Sequence, residues 1–218
     1  HTPDNPASLS HRSVWAIAEG RPGYLWIGTT RGGLNRLEVA TGQSVRYQHD
    51  PADPHSLSSD RVSSLLVDRA GVVWVGTLGG GLSRLDEATG RFSHYRHVPG
   101  DPASLSSDVV NALYEDGTGR LWVGTYGDGL NLLDAQRQSF TVVRRDPTNP
   151  RGLSHDFITD IAADRSGAIW IATTGGGMSV FHPQQQAFAI YRHDPGDESS
   201  LPSDQVNAVY EDQAGMVW

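Results

Sequence analysis

The sequence predicts an all-β fold made of four-stranded antiparallel blades. Three observations carry that prediction. Five tryptophans, Trp26, Trp74, Trp122, Trp170 and Trp218, follow one another at intervals of 48 residues with no insertion or deletion. Each stands in the same pattern, cleanest in Gly71-Val72-Val73-Trp74-Val75-Gly76-Thr77 followed by Gly79-Gly80-Gly81-Leu82. A fixed period near 50 residues marks a repeat architecture. The chain also carries 25 glycines and 12 prolines among its 218 residues, which suits many short strands joined by turns. No stretch shows apolar residues at a helical period over ten or more positions.

Within each period the elements follow in order. The loop His49-Asp50-Pro51-Ala52-Asp53-Pro54-His55-Ser56-Leu57 recurs at His1 to Leu9, His97 to Leu105, Arg145 to Leu153 and His193 to Leu201. Its Asp, Pro and Ser residues are turn formers. A first strand, A, follows: Val14 to Ala18, Val62 to Val67, Val109 to Tyr114, Phe157 to Ala162 and Val206 to Tyr210. An acidic or glycine-containing turn leads to strand B with the tryptophan: Tyr24 to Gly28, Val72 to Gly76, Leu121 to Gly124, Ala168 to Ala172, and a last copy from Met216. The turn Thr-x-x-Gly-Gly, at 29–33, 77–81, 125–129 and 173–177, uses glycine for positive φ and close backbone approach. Strand C then covers Leu34 to Val39, Leu82 to Asp86, Leu130 to Asp134 and Met178 to His182. Strand D covers Ser44 to Gln48, Phe92 to His97, Phe140 to Arg144 and Ala187 to Arg192.

Four short strands per repeat describe a β-propeller blade. The blades span about 11–48, 59–97, 107–145 and 155–193, with an incomplete fifth at 203–218, so residues 1–218 form a partial propeller of about four and a half blades. The tryptophans of the four full blades are expected to be buried and to fill the gap between neighbouring sheets. The chain reads as a piece of a longer protein. Its blade faces and strand edges invite association with the remaining blades or with another copy.

Composition narrows the function. A formal net charge of −8 and the lack of a basic stretch argue against nucleic-acid binding. The absence of cysteine excludes disulfides, thiolate catalysis and cysteine metal sites. No run of 18 apolar residues offers a membrane span, so no membrane insertion is expected within this segment.

Residues that recur in every repeat read first as scaffold. Asp60, Asp108, Asp156 and Asp204 precede strand A, with Arg12 in the first copy; a carboxylate there either caps a backbone turn or belongs to a ring at a channel mouth, and regular recurrence favours the cap. His1, His49, His97 and His193 share one loop position. His11, His55, His94, His155 and His182 do not recur, and no metal-binding histidine spacing exists, so no metal and no cofactor is expected. The glycine-rich turns precede no helix and so make no phosphate loop. No G-x-S-x-G element occurs.

Positions where one copy departs from the others are where a site can enter. Trp15 stands where the others carry Ser63, Asn111, Thr159 and Asn207. Tyr126 stands where they carry Thr30, Leu78 and Thr174. Arg31 and Asp128 replace glycines of the B–C turn. The B–C turns and D–A loops emerge on one face, so Arg12, Trp15, Arg31, Tyr126 and Asp128 are the candidate ligand-binding residues. Aromatic rings with a few charged groups suit a carbohydrate, the ring stacking on the sugar's C–H face and polar groups bonding its hydroxyls.

The pattern G-x-[LVI]-W-[IV]-G-T-x-x-G-G-L at Gly71 to Leu82, with the loop at His49 to Ser59, resembles the two-component regulator propeller repeat, over essentially the whole chain. The resemblance implies an extracytoplasmic, periplasmic sensor domain of a membrane-anchored bacterial regulator, often a hybrid histidine kinase responding to glycans. The expected function is ligand sensing without catalysis, with a small-molecule or oligosaccharide ligand. Two alternatives differ in class. A polysaccharide or streptogramin lyase would need a histidine with an acid or metal at the channel mouth, with His11 and His155 as candidates. A protein-interaction platform like the WD-repeat propellers would need an exposed apolar or charged patch.

Overall fold

The computed structural model describes residues 1–2 and 4–218; Pro3, in the first copy of the repeated loop, lies outside them. The described residues form sixteen strands and no helix. Two compact units divide the chain, His1–Pro99 with Asp108–Val110, and Gly100–Ser107 with Asn111–Trp218. None of the described residues forms a helix long and apolar enough to cross a membrane.

The first unit holds two sheets. One is β1 (Val14–Glu19), β2 (Tyr24–Thr29), β3 (Leu34–Glu38) and β4 (Ser44–Tyr47); the other is β5 (Val62–Val67), β6 (Val73–Thr77), β7 (Leu82–Asp86) and β8 (Arg91–Tyr95). The second unit holds β9 (Val110–Glu115), β10 (Leu121–Thr125), β11 (Leu130–Leu133) and β12 (Phe140–Val143). Its other sheet is β13 (Ile158–Ala163), β14 (Ile169–Thr173), β15 (Met178–His182) and β16 (Ala187–Tyr191). Strands follow one another across each sheet in sequence order, and the pairings are antiparallel meanders. This is the blade architecture expected from the 48-residue period. The strands fall within one or two residues of their expected bounds; the repeated threonine closes strand B rather than opening the turn.

Burial explains the sequence pattern. All of β6 and all of β10 are buried, because a second strand is covered on both faces when sheets stack, and such a strand reads as an apolar run. Trp26, Trp74 and Trp122 are at most 1% exposed. Trp122 meets Phe181 of the neighbouring sheet at 5.3 Å between ring centroids, so the ring fills the space between blades. Truncating such a ring costs roughly 3–5 kcal/mol. Trp170 is only half-buried.

The glycine after the tryptophan has a second role. A Cβ on Gly28 would lie 2.4 Å from Val62, on Gly76 2.7 Å from Val110, and on Gly124 2.4 Å from Ile158. In each case the first residue of the next A strand is a fully buried knob seated on the bare backbone. The loops contribute to the core as well. Leu57, Leu105 and Leu153, from stretches that read as turns, are at most 2% exposed.

The fifth copy differs from its expectation. Residues 206–210 and 216–218 do not form strands; they make an isolated bridge, Glu211 to Val217, and a reciprocal backbone pair between Tyr210 and Trp218. Leu66 pairs with Trp74 and Val67 with Val73 in the second blade, so these two contacts of the fifth copy keep the register of the other repeats. Trp218 is 73% exposed.

Candidate ligand-binding site

The surface at the start of strand A is held by two repeated clasps. In the B–C turn the threonine hydroxyl donates to the carbonyl of the last glycine, from Thr29 to Gly33 at 2.9 Å and from Thr77 to Gly81 at 3.0 Å. The aspartate before strand A then locks this turn to the next repeat. Its carbonyl accepts from glycine N–H groups of the turn, Asp108 from Gly79 and Gly81 at 2.9 Å each. Its carboxylate accepts the N–H that opens the preceding loop, Asp60 from His49 and Asp108 from His97 at 2.8 Å. Asp156 and Asp204 do the same for Arg145 and His193. The four aspartates are therefore capping residues, each engaged by backbone. These bonds also bring the B–C turn beside the end of the D–A loop.

Strand A opens with a β-bulge. Register shifts between Val14 and Ala16, between Val62 and Ser64, and between Ile158 and Asp160. Trp15, Ser63 and Thr159 are the extra residues, and a bulge re-aims its side chain out of the ladder. In two copies the side chain reaches forward to the next repeat: Ser63 donates to the Val110 carbonyl and Thr159 to the Val206 carbonyl. Asn111 donates likewise to Ile158 at 3.2 Å. Trp15 breaks this series of hydrogen bonds with a large ring that is 55% exposed.

The ring borders a cavity of about 600 Å³ lined by His11, Arg12, Ser13, Trp15, Thr30, Arg31 and Arg61. Three of the five sequence-derived site residues, Arg12, Trp15 and Arg31, thus share one space in the first unit. Arg61 joins them and was not among the expected residues. Its copies elsewhere are Ser13, Val109, Phe157 and Gln205, so it too is a departure, although the position varies in every repeat and gives no signal of its own. Arg31 also reshapes its turn. Gly79, Gly127 and Gly175 at its position have φ of 97°, 103° and 93°, a region that an arginine avoids, and Arg31 is not in it.

Tyr126 and Asp128 belong to the second unit. Tyr126 stacks on Phe157, 4.8 Å between centroids and 8° between planes, across the bridge that joins these two residues. The same bridge pairs Leu78 with Val109 and Thr174 with Gln205. Tyr126 is therefore one half of a cross-strand aromatic pair with its other face exposed, at 54%. The Asp128 carbonyl accepts the Ser106 hydroxyl at 3.0 Å.

The histidines take structural places. Nδ1 of His1, His49 and His193 donates to the carbonyl of Leu9, Leu57 and Leu201, at 2.7–2.8 Å. His11 and His155 accept at Nδ1 from the N–H groups of Ser13 and Phe157, both at 3.1 Å. Ser59 and Ser203 do this with their hydroxyls at the same position in other repeats.

The residues with displaced protonation lie away from the cavity. In the A–B turn, Asp116 accepts from Thr118, from the Arg120 N–H, and from the Trp122 indole at 2.8 Å. Burial pushes its carboxyl up, but the Thr118 and Trp122 hydrogen bonds outweigh this and hold it below the usual carboxylate range. Asp68, Asp164 and Asp212 accept from their tryptophans in the same way. Blade one has Gly20 there instead. Burial, aided by Arg96, pushes His94 down.

A profile of the family described as two component regulator propeller matches residues 8–31, 56–79, 104–127 and 152–175. No curated protein shows a significant match to the sequence. Solved structures do resemble the fold. The extracellular domain of the one-component system BT4673 from B. thetaiotaomicron is 21% identical, with a TM-score of 0.78, covering 99% of this chain and 27% of that one. The extracellular domain of the hybrid two-component system BT3049 from the same organism is 23% identical, with a TM-score of 0.64, covering 100% and 33%. Virginiamycin B lyase from Staphylococcus aureus is 14% identical, with a TM-score of 0.68, covering 97% and 64%. The chain spans between a quarter and a third of the length of the first two. One family match falls on each of the four sheets, from the loop leucine to the B–C turn, so the chain carries four repeats that match the two-component regulator propeller family.

Proposed function

We propose that this chain is part of the extracytoplasmic sensor of a two-component signalling protein and that it binds an extracellular small molecule, a glycan fragment, without altering it chemically. The observation that carries the reading is the convergence of Arg12, Trp15 and Arg31 on one cavity. Positions that repeat serve the scaffold, and these three are positions that do not. Bulge geometry turns an aromatic ring into the cavity, where it offers a face to a sugar while arginines bond its oxygens. Tyr126 and Asp128, on the equivalent turn of the second unit, are proposed as contact residues within that unit.

The extracytoplasmic location draws support from the structural neighbours, which are extracellular domains. The lyase reading has less support. In His11 and His155 the Nδ1 atom is committed to backbone, so neither ring is oriented by an acid through that nitrogen.

Calorimetric titration against a panel of glycan fragments tests the proposal. Trp15→Ala and Tyr126→Ala are expected to weaken binding by about ten- to a hundredfold, in analogy with base stacking on aromatic rings, and the glycan is recovered intact. Unchanged affinity in Trp15→Ala refutes the site, and cleavage of the glycan refutes the non-catalytic reading.

A further inference from the structure

The lining of the cavity beside Trp15 says more about the ligand than its shape does. Three arginines, Arg12, Arg31 and Arg61, line it, and no acidic residue does. Among the described residues Arg21, Arg36, Arg96, Arg120, Arg137 and Arg165 each have a carboxylate within 4.0 Å. Among the described residues Arg12, Arg31 and Arg61 form no such ion pair, as is also true of Arg84, Arg91, Arg144 and Arg192; what sets the three apart is that they line one space. Asp60, next to Arg61 in sequence, has an oxygen engaged by the His49 N–H. The cluster also runs against the charge of the molecule, whose formal net charge is −8. Arg12 sharpens the contrast, because it takes the place of the capping aspartate of every other repeat. Where the scaffold calls for a carboxylate, this copy has a cation.

Three like charges facing one space repel each other, and an anion placed among them relieves that repulsion. Guanidinium groups match carboxylates and sulfates through paired parallel hydrogen bonds, which neutral hydroxyls do not provide. The aromatic ring alongside supplies the complementary half of a sugar site. We infer that the cavity takes an acidic sugar, its carboxylate or sulfate held by Arg31 and Arg61 with Arg12 adding to the field, and its C–H face against Trp15. This rests on the glycan reading above and specifies the ligand's chemistry.

The experiment compares acids with matched neutral sugars by titration calorimetry. The probes are a galacturonic acid trimer, its methyl ester, galactose 6-sulfate and galactose. The expected result is that at least one acid binds at least tenfold more tightly than its neutral partner, and that added salt weakens only the acid. The carboxylate and sulfate arms identify which group is preferred. Arg31→Gln and Arg61→Gln are each expected to lose about tenfold for the acid and to narrow the gap between the acid and its neutral partner. Arg151→Gln, which removes the same charge in the other unit, is expected to change nothing. Circular dichroism of each variant establishes that it is folded. Equal affinity for acid and neutral partner, or full acid affinity in both arginine variants, overturns the inference and leaves the glycan site standing. If the acids fail to bind while a neutral glycan binds at Trp15, only the acid specificity falls. If no saccharide of either kind binds, both readings fall.

Discussion

Replacing Asp116 tests the physical account of the blade most directly. Its carboxylate accepts the Trp122 indole N–H at 2.8 Å, the Thr118 and Arg120 N–H groups at 2.8 and 3.2 Å, and the Arg120 side chain at 3.1 Å. Asp116→Ala leaves the indole N–H of a side chain that is 1% exposed without its acceptor. An orphaned buried donor costs about 1–3 kcal/mol. Loss of the two turn bonds adds about 0.5–1.5 kcal/mol each. The ion pair with Arg120, whose side chain is 39% exposed, adds little because solvent screens it. The expected total is about 2–6 kcal/mol, read as a lowered urea midpoint by tryptophan fluorescence. Acidification should mimic the change. The folded carboxyl is held below 3.8, its ordinary value, so its contribution is complete above pH 3.8 and is lost as pH falls below it. A variant within about 0.5 kcal/mol of the parent would show that the tryptophan needs no acceptor, as blade one with Gly20 already manages.

Other consequences follow from the same geometry. Gly124→Ala places a Cβ 2.4 Å from Ile158 and should destabilise by roughly 1–3 kcal/mol. Ala172→Gly, at the matching position of the next blade, should cost only about 0.5–1 kcal/mol; equal effects in urea melts would reject the knob-and-glycine account. Ser63→Ala removes the bond to the Val110 carbonyl and should lower stability by about 0.5–1.5 kcal/mol, whereas unchanged stability would mean that the bulge latch contributes nothing. His94 is held below its ordinary value of 6.5 by burial. The unfolded chain therefore takes up its proton first, so stability should be level above pH 6.5 and decline below it, and His94→Gln should flatten that slope.

Some features were legible because they depend on periodicity alone. A 48-residue spacing of tryptophans, with four apolar runs between turn signals, requires a four-stranded unit, since no helix can bury residues so arranged. Gly33, Gly81, Gly129 and Gly177 could be assigned to positive φ because the turn permits little else there. The candidate residues were found by subtraction: a position that differs in one copy is free of the constraint that fixes the others.

What the sequence by itself determined was thus the repeat, its strands and the positions released from scaffold duty. Tertiary structure alone decided how those positions are used. Leu57 lies in a stretch rich in turn formers, and only the packing of the loop across the blade makes it core. The Asp–Trp bond spans six residues and depends on the A–B turn folding its carboxylate beneath the ring. The bulge at Trp15 has no local sequence mark, since the extra residue is defined by the register of the strand opposite. That register aims the ring at the cavity. Arg61, carried by the next repeat, reaches the same space because the Asp60 carbonyl accepts the Gly33 N–H and draws the two repeats together. Hydrogen bonds and packing between residues far apart in sequence set these positions, and local propensity does not encode them.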